Sequence, residues 1–84
     1  MLKAKTVTDI ISFIEDNLET RLSIETICEH TGYGRRYIQR IFKGHINMTL
    51  WQFIRYRRIT RAALLLRLTS SKIIDISFRL QFDS

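Results

Sequence analysis

Apolar residues recur along much of this chain at helical spacing. Val7, Ile10, Ile11, Ile14 and Leu18 keep the i, i+3, i+4, i+7 pattern and define one stripe of a first helix over 7–18. Thr6 is expected to N-cap it, with Asp9 three residues on as a variant capping box; Phe13 lies off the stripe's centre. The polar link "DNLETRLS" leads to a second helix over 24–31, with Ser23 as N-cap, Ile24, Ile27 and Cys28 facing inward, and Gly32 at its end. A third helix is expected over 35–43, closed by Gly44. Only Gly32, Tyr33 and Gly34 separate the second and third, the spacing of a helix-turn-helix corner. Thr49 and Gln52 form a T-x-x-Q capping box for a fourth helix, unbroken until Thr69 and therefore about 27 Å long. Leu50, Phe53, Ile54, Ala62, Leu65 and Leu66 mark its buried side, and Trp51 is expected to pack between this helix and the first unit. After "TSSK" a fifth helix over 72–80 places Ile73, Ile76, Ser77 and Leu80 on one face. The fold class is all-α.

Composition supports that reading. There is no proline, and the three glycines all lie between positions 32 and 44. Eighty-four residues fit one small domain, or a domain plus a fragment, and a chain this short buries only about 60% of the surface its unfolded form exposes, so the core is thin. The hydrophobic content of 45% argues against disorder. A single cysteine, Cys28, excludes an internal disulfide, and it is expected to pack as a small hydrophobe. Met1 to Lys5 lack an apolar signal-peptide core, and no apolar run nears the roughly 18 residues of a spanning helix. A soluble protein of the cytoplasm is expected, with no membrane partner.

Charge changes the picture more. The net charge is +6, but it is divided unevenly. Residues 1–32 hold three basic side chains against six acidic ones; residues 33–84 hold eleven against two, and no carboxylate occurs between Glu29 and Asp75. A basic surface confined to one part of a fold is the footprint expected of a nucleic-acid binder, although an acidic membrane surface or an acidic protein would also attract it.

The third helix concentrates this charge. At 100° per residue, with Arg36 at zero, Gln39 falls near about 300°, Arg40 near about 40° and Lys43 near about 340°. Ile38, Ile41 and Phe42 take the opposite side. The basic stripe has no acidic neighbour at i±3 or i±4, so it is not a surface laced by local ion pairs. Arginine can bond guanine O6 and N7 together, and glutamine adenine N6 and N7. Lys43, at the helix end, suits a phosphate as a point charge. Arg36, Gln39 and Arg40 are therefore the candidate base readers. Arg35, Lys43, Arg55, Arg57, Arg58 and Arg61 are candidate phosphate contacts, although the four on the fourth helix cannot all face one way.

Other chemistry finds little support. His30 and His45 have no ligand cluster around them, so no metal is expected. Ser23, Ser70, Ser71 and Ser77 lack a His/Asp constellation, and no phosphate loop or acid pair is present, so neither an enzyme nor a cofactor is expected.

The segments "FIEDNLETRLSIETICEHTGY", "YIQRIFK", "TLWQFIRYRRITRAALLLRLT" and "IIDISFRLQFDS" resemble the DNA-binding domain of the AraC/XylS transcriptional regulators, especially the small MarA/SoxS/Rob-like members. They cover nearly the whole chain in order. That resemblance implies two helix-turn-helix units joined by a long helix, each unit presenting a recognition helix to the major groove of double-stranded DNA. It divides this chain into a first helix-turn-helix subdomain (1–48), a linker helix (49–68) and the start of a second subdomain (69–84). Arg36, Gln39 and Arg40 occupy the typical base-facing positions, with Arg36 in place of a frequent tryptophan and Gly34 in place of the usual serine or threonine cap. In the family a second recognition helix and a last helix follow the position of "FDS", so the chain is expected to be a truncated product. The family usually activates promoters by contacting RNA polymerase, which implies a bacterial, nucleoid-associated activator; with no effector domain in this chain, no small-molecule ligand is expected.

A reading of another class starts from the fifth helix. If its apolar face lacks cover, Phe78, Leu80 and Phe82 form an interaction face for self-pairing or for pairing with another regulator, and the chain acts as an antagonist. Charge-driven binding to any nucleic acid is a third reading. It does not account for Gln39 standing in line with Arg36 and Arg40.

Overall fold

The helical stripes close on one another. In the computed structural model, which describes residues 2–81, five helices follow in order: α1 (Leu2–Asp16), α2 (Ile24–Thr31), α3 (Arg35–Ile46), α4 (Leu50–Leu68) and α5 (Ile73–Arg79). No strand occurs among the described residues, in keeping with the all-α class. Ile10 and Ile14 of α1, Ile27 of α2, and Ile38 and Phe42 of α3 have no accessible surface and form the centre of the core. Leu50 and Ile54 bring the first turns of α4 onto it, and the Phe53 ring meets Phe42 edge-on with centroids 5.3 Å apart. Cys28 packs against this core as a partly buried side chain. Beyond its first turns α4 keeps Ala62 and Leu65 partly buried against the core, and the molecule extends to 42 × 20 × 18 Å.

Local chemistry explains most of the boundaries. The Ser23 hydroxyl accepts the Thr26 N–H at 3.2 Å, and the Thr26 hydroxyl oxygen accepts the Ser23 N–H at 3.3 Å, a reciprocal cap for α2. Gly32 ends α2 at φ 80°, a conformation that costs glycine little, and its N–H donates to the Cys28 carbonyl at 2.8 Å. Thr49 and Gln52 make the corresponding box at the start of α4, at 2.9 and 3.1 Å.

Several boundaries differ from the expectation. α1 begins five residues earlier than Val7 and stops at Asp16. Thr6 is an interior, buried position, not a cap, because nothing in "LKAKT" interrupts a helix. Past Asp16 the Asn17 side chain donates back to the Phe13 carbonyl at 2.7 Å, and Leu18 enters the core from the turn. α3 continues through Gly44 to Ile46, which packs on the core; Asn47 then ends the helix at φ 63°, donating to the Lys43 carbonyl at 2.9 Å. Asparagine is among the few side chains that visit the left-handed region readily.

Two expected core positions lie outside. Leu66 is exposed on α4, and Ile73 is exposed at the start of α5. The inward face of α5 is covered only over its C-terminal part, where Ile76 and Leu80 are buried. There Arg79 pairs with Glu19, and the Gln81 amide donates to the Glu19 carbonyl at 3.2 Å, so α5 is tied to the turn after α1. Leu80 is therefore no part of an exposed face. Phe78 is 70% exposed, and Phe82 lies outside the described residues.

Candidate nucleic-acid interface

The glycine turn fixes how α3 is presented. Ile38, Ile41 and Phe42 anchor one side of the helix in the core, and this forces Arg36, Gln39, Arg40 and Lys43 outward, where all four are exposed. Among the described residues no carboxylate lies within ion-pair distance of Arg36, Arg40 or Lys43. Arg40 sits 5.8 Å from the centre of the Tyr37 ring, which in turn packs on Tyr33 with centroids 4.8 Å apart. Such a cation–π contact is worth about 0.5–1 kcal/mol at an exposed site and restrains the guanidinium's direction.

α3 starts at a disadvantage as a helix. Gly34 offers no side-chain cap, and the first turn carries Arg35 and Arg36 with no acid. Free N–H groups and positive side chains at a helix N-terminus repel each other's charge, and both suit an approaching anion. Arg35 turns aside from the outer face and bonds Glu25 of α2 at 2.7 Å, across the turn. The Glu25 carboxyl is held below the usual carboxylate range, first by a backbone hydrogen bond at its own position and then by Arg35.

The arginines of α4 divide into two sets. Arg57 makes a bidentate pair with Glu15 of α1 at 2.8 and 3.0 Å, and Arg61, one turn on, approaches the same carboxylate at 3.6 Å. Arg58 donates to the carbonyls of Leu18 and Thr20 at 3.2 and 2.8 Å. These three were candidate phosphate contacts by sequence; the structure places them in the seam that fixes α4 to α1 and to the turn after it. Arg55 is exposed instead. The i, i+4 spacing of Arg57 and Arg61 puts them on one face and was a signal of this seam, but Glu15 lies 42 residues from Arg57 and no local rule pairs them.

Hydrogen bonds from Arg57 hold the Glu15 carboxyl below its ordinary value of 4.5, against the opposing effect of partial burial. A carboxylate whose folded pKa is lowered adds stability that is complete above its unfolded pKa and is lost as the pH falls through the folded one. Arg57→Ala is therefore expected to cost about 1 kcal/mol at neutral pH, and the gap from the wild type should close as the pH drops below about 4.5. Urea unfolding of both chains across pH checks this; a gap that does not depend on pH would contradict it.

Trp51 was expected between α4 and the first unit. It is 46% exposed and lines a groove of about 410 Å³ with Gln39, Arg40, Lys43, Thr49 and Leu50. The spacing of Trp51, Arg55 and Arg58 at i, i+4 and i+7 places them on one side of α4 and was the signal that could have found it.

A capped short helix, a glycine turn and a second helix with a basic outer face define a helix-turn-helix protein of the DNA-binding class. Comparison with known proteins agrees. A family model described as a helix-turn-helix domain matches residues 16–84. The F1 operon positive regulatory protein of Yersinia pestis is 47% identical over 100% of this chain and 28% of its own length. The HTH-type transcriptional activator AarP of Providencia stuartii is 42% identical over 93% of this chain and 58% of its own. The crystal structure of a transcriptional regulator from Chromobacterium violaceum, of the AraC-type DNA-binding domain proteins, superposes with a TM-score of 0.90 at 31% identity, covering 96% of this chain and 72% of that one. The chain belongs to the AraC-type helix-turn-helix family, whose members are DNA-binding transcription regulators and not enzymes. It spans less than two thirds of the length of either curated relative. No helix among the described residues is long and apolar enough to cross a membrane.

Proposed function

We propose that this chain binds double-stranded DNA sequence-specifically by laying α3 in the major groove. Arg36, Gln39 and Arg40 read base edges. Lys43, Arg55 and, when it exchanges Glu25 for DNA, Arg35 contact phosphates. Arg57, Arg58 and Arg61 hold α4 against α1 and so set the angle of α3. The observation that carries this reading is the outer face of α3: three cations without carboxylate partners among the described residues, in line with a glutamine, on a helix whose other side is locked in the core. Cations so placed leave their donors free for the acceptors that bases and phosphates present. The names of the Yersinia and Providencia relatives, a positive regulatory protein and an activator, support activation of transcription, with RNA polymerase as the partner that activation requires. Selection from a random duplex library by the wild-type chain tests the proposal: one enriched motif is expected, and a pool that stays random would contradict it.

A second reading rests on α5. Phe78, Ile73 and Ile74 are 70%, 68% and 59% exposed on a short helix, an apolar surface fit for a protein partner, a second copy included. Under this reading sedimentation shows concentration-dependent pairing that Phe78→Ser abolishes while DNA binding survives. A monomer across the whole concentration range counts against self-pairing.

A further inference from the structure

Trp51 is the chain's single tryptophan, and the fold leaves nearly half of it in solvent. Its surroundings are unusual for an exposed aromatic. On one side is the groove it shares with Gln39, Arg40 and Lys43 of α3. On the other is a recess of about 230 Å³ lined by Ile54, Arg55, Arg58 and Gln81. The indole thus forms a ridge between two basic hollows, with no carboxylate among the described residues that line them. It stands in the first turn of α4, beside the outer face of α3.

We infer that Trp51 is a DNA-contacting residue, and that the strand of sugar and phosphate flanking the groove occupied by α3 runs over its indole. This rests on the proposal that α3 enters the major groove and extends that interface onto α4. The occupant follows from charge and continuity. The two hollows carry Lys43 and Arg55 on either side of the ring, the two exposed cations already assigned to phosphates. Between phosphates the backbone presents the apolar face of a deoxyribose, which an indole can cover, and the ring's single N–H can donate to a phosphate oxygen. A flexible cation at position 51 would supply charge without that apolar contact. The contact is independent of sequence, so it adds affinity and fixes register without reading bases.

Tryptophan emission, excited selectively over tyrosine, reports on this one residue. The wild-type chain is titrated with the selected duplex and with a scrambled one, and acrylamide quenching is measured free and bound. DNA is expected to shift Trp51 emission and to shield it from acrylamide on both duplexes. Trp51→Ala should weaken binding to both by about tenfold with an unchanged salt slope, since no charge is lost. Trp51→Phe, which keeps an aromatic face, should lose only about two- to threefold. Circular dichroism of both variants confirms that the helices are retained. Bound DNA that leaves emission and quenching unchanged, with wild-type affinity in Trp51→Ala, overturns the inference. Arg40→Ala is measured in parallel: its loss of preference between the two duplexes reports on α3 alone, so a failure at Trp51 and a failure of base reading are told apart.

Discussion

Phe42→Ala is expected to destabilise the chain by about 3–5 kcal/mol and to lower its melting temperature by on the order of 15–30 °C. Phe42 has no accessible surface, and its ring meets Phe53 edge-on at 5.3 Å, so the residue that closes α3 onto α1 also closes it onto α4. An 84-residue domain has a total stability of about 4–13 kcal/mol, so the loss is a large share of the whole. Phe78→Ala provides the contrast. That ring is 70% exposed, and its removal should change stability by no more than about 0.5 kcal/mol. The same chemical deletion at two sites thus separates packing from hydrophobicity. Urea unfolding followed by circular dichroism measures both. A loss below about 1 kcal/mol at Phe42 would mean that α3 is not held by this core. Because Phe42 is the inner side of the helix whose outer side carries Arg36, Gln39 and Arg40, the unfolded fraction of the variant should lose DNA binding in proportion.

The second large effect concerns recognition. Arg40→Ala is expected to remove about 1–3 kcal/mol of discrimination, roughly 5- to 150-fold, between the selected duplex and one altered at the guanine it reads. Its salt slope should stay close to that of the wild type, because a lost base contact releases no additional counterions. Lys43→Ala should do the opposite. It should weaken binding to every duplex alike and reduce the slope by about one. Both side chains are exposed and have no carboxylate partner among the described residues, so neither substitution disturbs the core. Fluorescence anisotropy across salt separates the two effects. Equal weakening on both duplexes by Arg40→Ala would reduce α3 to a charged surface.

How much of this could be read beforehand depended on the range of the interactions. The two capping boxes at Ser23 and Thr49 were legible, because each is completed within four residues. So were the two faces of α3, where a single helical period sorts Ile38, Ile41 and Phe42 from Arg36, Gln39 and Arg40. The ends of α1 and α3 were not. Thr6 looks like a cap, but a helix already under way passes through it; Gly44 looks like a stop, but the burial of Ile46 rewards three more residues of helix. The division of the α4 arginines was hidden for a different reason. Arg57, Arg58 and Arg61 find their partners 38 to 46 positions away, at Glu15, Leu18 and Thr20, and only the packing of α4 on α1 brings them together. Trp51 was misplaced because an amphipathic ring fits a core or a wet groove equally well, and its helix alone does not choose. Leu80 and Phe78 lie two residues apart at the end of a short helix, yet one is buried and the other is not, since the anchoring of Arg79 and Gln81 on Glu19 fixes which face turns inward.

The most direct test of the central claim is methylation of guanine N7 by dimethyl sulfate on the selected duplex, with wild-type chain and with Arg40→Ala. N7 lies in the major groove, where α3 is proposed to sit. The account predicts at least one guanine in the enriched motif protected by the wild-type chain and exposed again with Arg40→Ala, at protein concentrations that saturate both. Saturated binding with every N7 in the motif equally reactive would show that α3 does not enter the major groove, and would contradict the account.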